Sequence, residues 1–237
     1  MVSGFLVADG SMIQAYEESF EKYSIENGHF RTEKKMNNAQ IQDIEDLDIK
    51  LYENYYVEEA LTNGSTMRIF KNRDEVNKVC LMKGKMPEKP GEIGIDRMYA
   101  DNNNLSVGDE IESGGHTWKI TGLVALSDYS ALFSNNNDSM FDSVKFGVSV
   151  VCPEEFDSYK ADQLNYSYAW KYNTEPKNEK AEKDISEDLM EDVAKEVTLE
   201  EFVPRYMNQA IIFTGDDMGG DRSMMIVLLY IIIVIMA

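Results

Sequence analysis

Cysteine and histidine are almost absent from this 237-residue sequence, with two of each. Cys80 and Cys152 form no C-x-x-C pair and no cluster with His29 or His116, which argues against a structural zinc site. The two thiols fit one disulfide, and they equally fit two buried apolar side chains. Basic residues are also few: 23 Lys and Arg stand against 43 Asp and Glu, a formal net charge of −20. Nucleic-acid binding, which depends on neutralising phosphates, is not expected of such a chain. Nor is a domain that lies flat on anionic lipid. The acidity itself selects no function, since an acidic surface also serves solubility.

Long apolar runs are missing until the end, where Met224 opens "MMIVLLYIIIVIMA", fourteen residues with no charge, glycine or proline. As a helix this run reaches only about 21 Å, short of the roughly 20 residues that cross a bilayer. The reading is the truncated start of a transmembrane helix over 223–237; a buried C-terminal core element is the alternative. The opening "MVSGFLVADGS" has neither the basic region nor the apolar length of a signal peptide. Residues 1–10 are therefore expected to be a juxtamembrane segment, in a fragment whose parent carried another membrane segment before residue 1. The flank "GDDMGGDRS" has three Asp against one Arg, and cytoplasmic flanks collect Lys and Arg. The folded part, 11–222, is expected on the extracytoplasmic side of the cell membrane.

What is present is a foldable composition, 43% hydrophobic and 28% charged, in a chain long enough for one large domain or two small lobes. Ser11 with Gln14 has the pattern of a capping box, followed by Met12, Tyr16, Phe20 and Tyr23 on one helical face, with Asn27-Gly28 as the stop. "GHFRT" begins an extended segment, and "AQIQDIEDL" suits a short helix. "IKLYENYYVEEAL" and "STMRIFK" read as a hairpin across Asn63-Gly64. "KVCLMKGKMPEKPGEIGID" holds two short strands split by a Pro/Gly turn. A short helix "RMYADNN" then leads to the strand "VGDEIE", a turn at Ser113-Gly114-Gly115, and the strand "HTWKITGLVAL". "SDYSALFSNNNDSMFD" is a polar excursion and "FGVSVVC" a strand. "PEEFDSYKA" starts a helix with proline at its first position, and "YSYAWKYN" is a strand. Ala181, Ile185, Leu189, Val193 and Val197 predict an amphipathic helix with a solvated acidic face. Strands and helices mix without βα alternation. The fold class is therefore α+β, a mixed, mostly antiparallel sheet with packed helices that allows two lobes.

Candidate chemistry is thin. From Asp101 through Asn103 to Glu112 the spacing suggests a calcium loop, but Leu105 stands where a ligand is needed and Ser106 where the loop needs glycine. Asp96 and Asp109 could act as an acid–base pair; an N-cap for Asp96 and a turn at Gly108-Asp109 explain them more simply. Ser19 and Lys22 match S-x-x-K inside a helix, without the partner motifs, and Ser127-Asp128 is followed by Tyr129. Gly84-Lys85 lacks the first glycine and the Ser/Thr of a phosphate-binding loop. His29 and His116 read as ordinary strand or turn side chains. No catalytic, cofactor or metal residues are assigned, and no enzyme activity is expected.

One stretch carries a resemblance. Gly84, Pro87, Gly91-Glu92-Ile93, Asp96, Ala100, Val107-Gly108-Asp109, Ile111 and Ile120-Thr121-Gly122-Leu123-Val124 occur in the order found in the extracytoplasmic domain of FtsX-like/MacB-like ABC transporter permeases, which this region resembles. The tail "FTGDDMGGDRSMMIVLLYIII" resembles the return of such a domain into its second membrane helix. The resemblance implies a MacB-like periplasmic core fold and a non-catalytic role. It also implies a cytosolic ABC ATPase partner, and a lipid, peptide or antibiotic substrate or an extracellular protein as the object of the work. A stand-alone, membrane-anchored binding or sensor module is the alternative.

Overall fold

The computed structural model describes residues 2–113 and 115–220, with side chains from Ser11 onward. The expected membrane stub at 223–237 lies outside the described residues. In chain order the elements begin with α1 (Val2–Lys22), β1 (Gly28–Thr32), α2 (Asn38–Glu45) and β2 (Ile49–Glu53). They continue with β3 (Tyr56–Ala60), β4 (Thr66–Lys71), β5 (Val79–Gly84), β6 (Glu92–Asp96) and α3 (Arg97–Asn102). Next come β7 (Glu110–Ser113), β8 (His116–Leu126), β9 (Phe146–Val151), α4 (Pro153–Phe156) and β10 (Tyr166–Tyr172). Last are α5 (Glu179–Glu196), β11 (Leu199–Pro204) and a further helix over 209–220.

Two sheets result, in agreement with the α+β expectation, and their buried residues join in one core. The smaller has four antiparallel strands in the order β11-β1-β10-β2. Its buried face is aromatic: Phe30 stacks on Tyr168 at 5.6 Å and Trp170 on Phe202 at 4.8 Å between ring centroids. Helices α2 and α5 pack against each other and against β2 and β11. Their buried Ile44, Leu189 and Val193 join the core. The larger sheet runs β3-β4-β9-β6-β8-β5, with β7 also on β8, and is mixed: β4–β9 and β6–β8 are parallel. Its central strands "EIGID" and "FGVSVV" are buried at every position, the continuous pattern of strands covered on both faces.

The stretch Gly84 to Val124 folds as one unit. Asp96 caps α3, its Oδ1 accepting from the backbone of Met98 (2.8 Å) and Tyr99 (3.1 Å). Asp109 Oδ2 accepts from Ser106 N, closing the turn into β7. Gly84 has φ +80°, and a Cβ there would meet the carbonyl oxygen of Thr121 at 2.3 Å. A Cβ on Gly122 would meet the Lys85 carbonyl oxygen at 2.5 Å. The two glycines let β5 and β8 approach where no side chain fits, as expected for Gly122.

Several expectations need correction. Helix α1 already runs from Val2, so Ser11 lies inside it and not at its start; no proline interrupts the preceding turns. Met12 is 58% exposed, whereas Tyr16, Phe20 and Tyr23 are partly buried. The helix stops through Ser24 at φ +52°, not at Asn27-Gly28, which lie at the start of the sheet. "IKLYENYYVEEAL" is two strands: β2 belongs to the small sheet, β3 to the large one, and only β3–β4 form the hairpin. In α5 Ile185 is exposed, and Ser186 takes the inward position with its hydroxyl on the Tyr206 hydroxyl at 2.9 Å. The excursion after Ser127 is not wholly polar. Ala131 and Phe133 are buried with Ala210, and Phe141 and Phe213 complete an aromatic satellite core. Cys80 and Cys152 are free thiols.

Candidate functional site between the sheets

The chain passes from one sheet to the other twice, at Asn54-Tyr55 and between Cys152 and Asn165. The two passages lie side by side. Tyr56 N donates to Asn165 O at 3.3 Å, and Asn165 N to Tyr56 O at 2.8 Å. Side chains alternate on extended backbone, so neighbours here point to opposite sides. Tyr56, Asn165 and Ser167 line one cavity of about 610 Å³; Tyr55, Leu164 and Tyr166 line a second of about 590 Å³. Asn54 borders both.

Strand β4 supplies one wall of the first cavity by the same alternation, with Thr66, Arg68 and Phe70 facing it. The Arg68 guanidinium lies 4.5 Å from the Tyr56 ring centroid and 5.0 Å from that of Phe146. It donates to Glu58 Oε1 (2.8 and 2.6 Å), the Tyr129 hydroxyl (2.7 Å) and the Ser134 carbonyl (2.8 Å). Such an Arg is held as a planar wall, not as a mobile charge. Burial pushes the Tyr129 phenol well above its usual range, so it stays protonated.

Behind this wall is a buried ionic network. Arg73 and Asp128, 7% and 5% exposed, form a bidentate pair at 2.8 and 2.7 Å, and Arg73 also donates to Asn54 Oδ1 at 2.9 Å. Burial pushes Asp128 up while Arg73 pulls it down. Glu26, at the exit of α1, accepts from Asn77 Nδ2 at 2.6 Å and meets His29 Nδ1 at 2.6 Å. Burial alone would raise Glu26, but His29, Asn77 and Arg73 hold it below the usual carboxylate range. Burial alone would lower His29; the Glu26 carboxylate, helped by Glu201 and Asp128, leaves it raised.

The residues weighed from the sequence are dispersed and engaged elsewhere. Asp101 pairs with Arg97 at 3.1 Å on the exposed surface of α3. Asn103 donates to Tyr99 O and Val144 O, tying α3 to the chain before β9. Glu112 is exposed on β7, and Leu105 packs on the core. Asp96 and Asp109 each cap a different turn. Ser19 Oγ donates to the Tyr16 carbonyl inside α1, and Lys22 Nζ lies over the Tyr23 ring. Lys85 pairs with Glu88 and Glu92, and His116 packs edge-on to Trp118. Among the described residues no group of three metal-ligating side chains converges. His29 reaches the first cavity, as do Asp128 and Tyr129, which the sequence offered only as a failed motif match. Glu26, Arg68 and Arg73 were missed, and Asp128 was weighed only for a different motif: they come from segments far apart in the chain and share no motif. The one available signal was Arg68, a charge inside the otherwise strand-like "TMRIF".

Comparison with known proteins gives a fold-level likeness. No protein-family model and no curated protein matches the sequence. Among solved structures the chain is similar to the periplasmic region of MacB from Actinobacillus actinomycetemcomitans, with 12% identity over 72% of this chain and 85% of that one, TM-score 0.38. It is also similar to the extracellular domain of the noncanonic ABC-type transporter YknZ from Gram-positive bacteria (8% identity, 73% and 98% covered, TM-score 0.37). A third similar structure is a Bacillus anthracis protein provisionally described as a lipoprotein (12% identity, 74% and 96% covered, TM-score 0.36). At TM-scores this low, no functional argument is drawn from them. Among the described residues no helix is long and apolar enough to cross a membrane.

Proposed function

We propose that this chain is the extracytoplasmic domain of an FtsX-like/MacB-like ABC permease. In this role it is a non-catalytic body that couples helix motion, driven by a cytosolic ATPase, to substrate extrusion or to an extracellular partner. The observation that carries the reading is how the first helix and the last described helix meet. Phe20 lies under Arg205 (5.4 Å), Tyr16 bonds Ile211 O (2.9 Å), and the Tyr16 ring abuts Gly215. As one strand of chain is followed backwards the other runs forwards, so α1 and 209–220 form an antiparallel pair. A displacement of that pair is delivered to the body at two points: the Glu26–Asn77 contact after α1, and the satellite core of Phe133, Phe141 and Phe213. The ordered glycines and acids of Gly84 to Val124, which run from the end of β5 through β6, α3 and β7 into β8, support the same reading, as does the apolar sequence from Met224.

The test is topology in the native membrane. A single exposed cysteine, Asp162→Cys in a Cys80→Ser background, is expected to react with a membrane-impermeant maleimide in intact cells, and the parent protein to co-purify with an ABC ATPase. Labelling only after lysis overturns the reading. Labelling without an ATPase turns it into a membrane-anchored binding module.

A further inference from the structure

We propose that the 610 Å³ cavity between the sheets binds a neutral, polyhydroxylated ligand of the size of a di- or trisaccharide. The proposal deepens the permease reading by naming a substrate or effector class, and its test does not depend on that reading. Most of the cavity's charges are committed inside the protein: Arg68 to Glu58, Arg31 to Glu200 and Glu201, Asp128 to Arg73, His29 to Glu26, and Asp142 Oδ1 to the backbone of Val144 and Lys145, with Lys145 the remaining charged side chain of the lining. Little concentrated charge is left for an anion or a cation to answer. The uncommitted hydrogen-bonding capacity belongs to neutral groups. Tyr56, Ser167 and Thr66 line the cavity, and among the described residues their side-chain hydroxyls have no hydrogen-bond partner. The side-chain nitrogens of Asn54 and Asn208 likewise donate to no protein group, though their oxygens hold Arg73 and Ala210 N. Ser167, Asn54 and Asn208 are 4%, 6% and 5% exposed, so these polar groups are directed into the cavity and not out to bulk water.

Hydroxyls and amides that each donate and accept match sugar hydroxyls, which do the same. Tyr56, Phe70 and Phe146 add apolar atoms to the lining for the C–H groups of a pyranose, although Arg68 covers one face of the Tyr56 and Phe146 rings and Arg73 one of Phe70. An extended peptide fits less well. It is recognised chiefly through backbone pairing at a sheet edge, whereas β4 and β9 are interior strands whose ladders are filled, and they offer side chains only. A ligand here would touch Asn208 and Ala210, at the start of the helix over 209–220, so occupancy would be felt where that helix leaves the body.

The experiment is calorimetric titration and saturation-transfer NMR of the full chain in lipid nanodiscs, free of glycosidic detergent, with maltotriose, cellotriose and chitotriose. At least one is expected to bind. Tyr56→Phe/Ser167→Ala, which removes two hydroxyls the protein itself does not use, is expected to weaken that binding about tenfold with unchanged circular dichroism and unfolding midpoint. Thr66→Val provides an independent, smaller loss. Binding of none of the three at millimolar concentration overturns the proposal. So does binding that both variants leave intact, or binding of trialanine or inorganic phosphate in place of the sugars.

Discussion

The Tyr16 hydroxyl donates to the Ile211 carbonyl at 2.9 Å, and the Tyr16 ring fills the space that any side chain at Gly215 would need. Burial raises the Tyr16 phenol to about 12, so the donor persists across the physiological range. A Cβ at Gly215 would lie 2.6 Å from Tyr16 Cε1, closer than the two atoms can sit. Gly215→Ala is therefore expected to destabilise by about 1–3 kcal/mol through overpacking. Tyr16→Phe should cost about 1 kcal/mol for the lost bond. In a Tyr16→Ala background, Gly215→Ala should cost almost nothing; equal cost in both backgrounds, by urea denaturation, refutes the contact.

The Arg73–Asp128 pair predicts strong non-additivity. Removing one partner leaves a buried charge alone, so Arg73→Met or Asp128→Leu should each cost about 3–5 kcal/mol. The double variant should cost less than either single one. A denaturant-based cycle measures this, and additive losses would show the two groups to be independent.

Glu26 and His29 predict a stability optimum with two flanks. His29 is raised above its ordinary 6.5, so its contribution is full below that value and disappears as pH rises through the raised folded-state value. Glu26 is held below its ordinary 4.5, so its contribution is full above that value and disappears as pH falls through the depressed one. The pair therefore stabilises most between about 4.5 and 6.5. His29→Gln should flatten the alkaline flank of a stability–pH curve. An NMR titration of His29 that gives a value below 6.5 contradicts the geometry.

Asp96 behaves oppositely to a normal surface cap. Burial lifts it to about 6, against the two backbone donors of α3 that pull it down. Its folded-state value exceeds the ordinary 3.8, so the contribution is present below 3.8 and lost as pH rises through about 6. Asp96→Asn keeps an oxygen for Met98 N and Tyr99 N, and at pH 7.5 should gain up to about 3 kcal/mol that vanishes in acid. Asp96→Ala should lose about 1 kcal/mol of cap. Thermal unfolding of both variants at two pH values decides the matter.

Much of the larger sheet was legible from local chemistry. "GEIGID" and "FGVSVV" read as short strands and became central ones, and Asp96, Gly108 and Gly122 do what their positions suggest. The passage between sheets was not legible, because "IKLYENYYVEEAL" has strand character throughout and Asn54 marks no break. In α5 the expected Leu189 and Val193 are buried and only Ile185 misses, because Ser186 found Tyr206 as a partner, an event of tertiary structure. Ala131 and Phe133 hide among asparagines and serines, and their burial depends on Phe213, eighty residues on. The cavity suffered most: Arg73, Asp128 and Glu26 read in isolation as ordinary surface charges, and nothing local announces that they meet.

Among the described residues, the two covalent passages between the sheets are bonded together at Tyr56 and Asn165, a single backbone axle between the two cavities. Alternation has set Tyr56 and Ser167 on one side of that axle and Tyr55 and Tyr166 on the other. A slip of one residue at this seam would exchange the side chains that line the two cavities, so the pairing of Tyr56 with Asn165 fixes the chemistry of both.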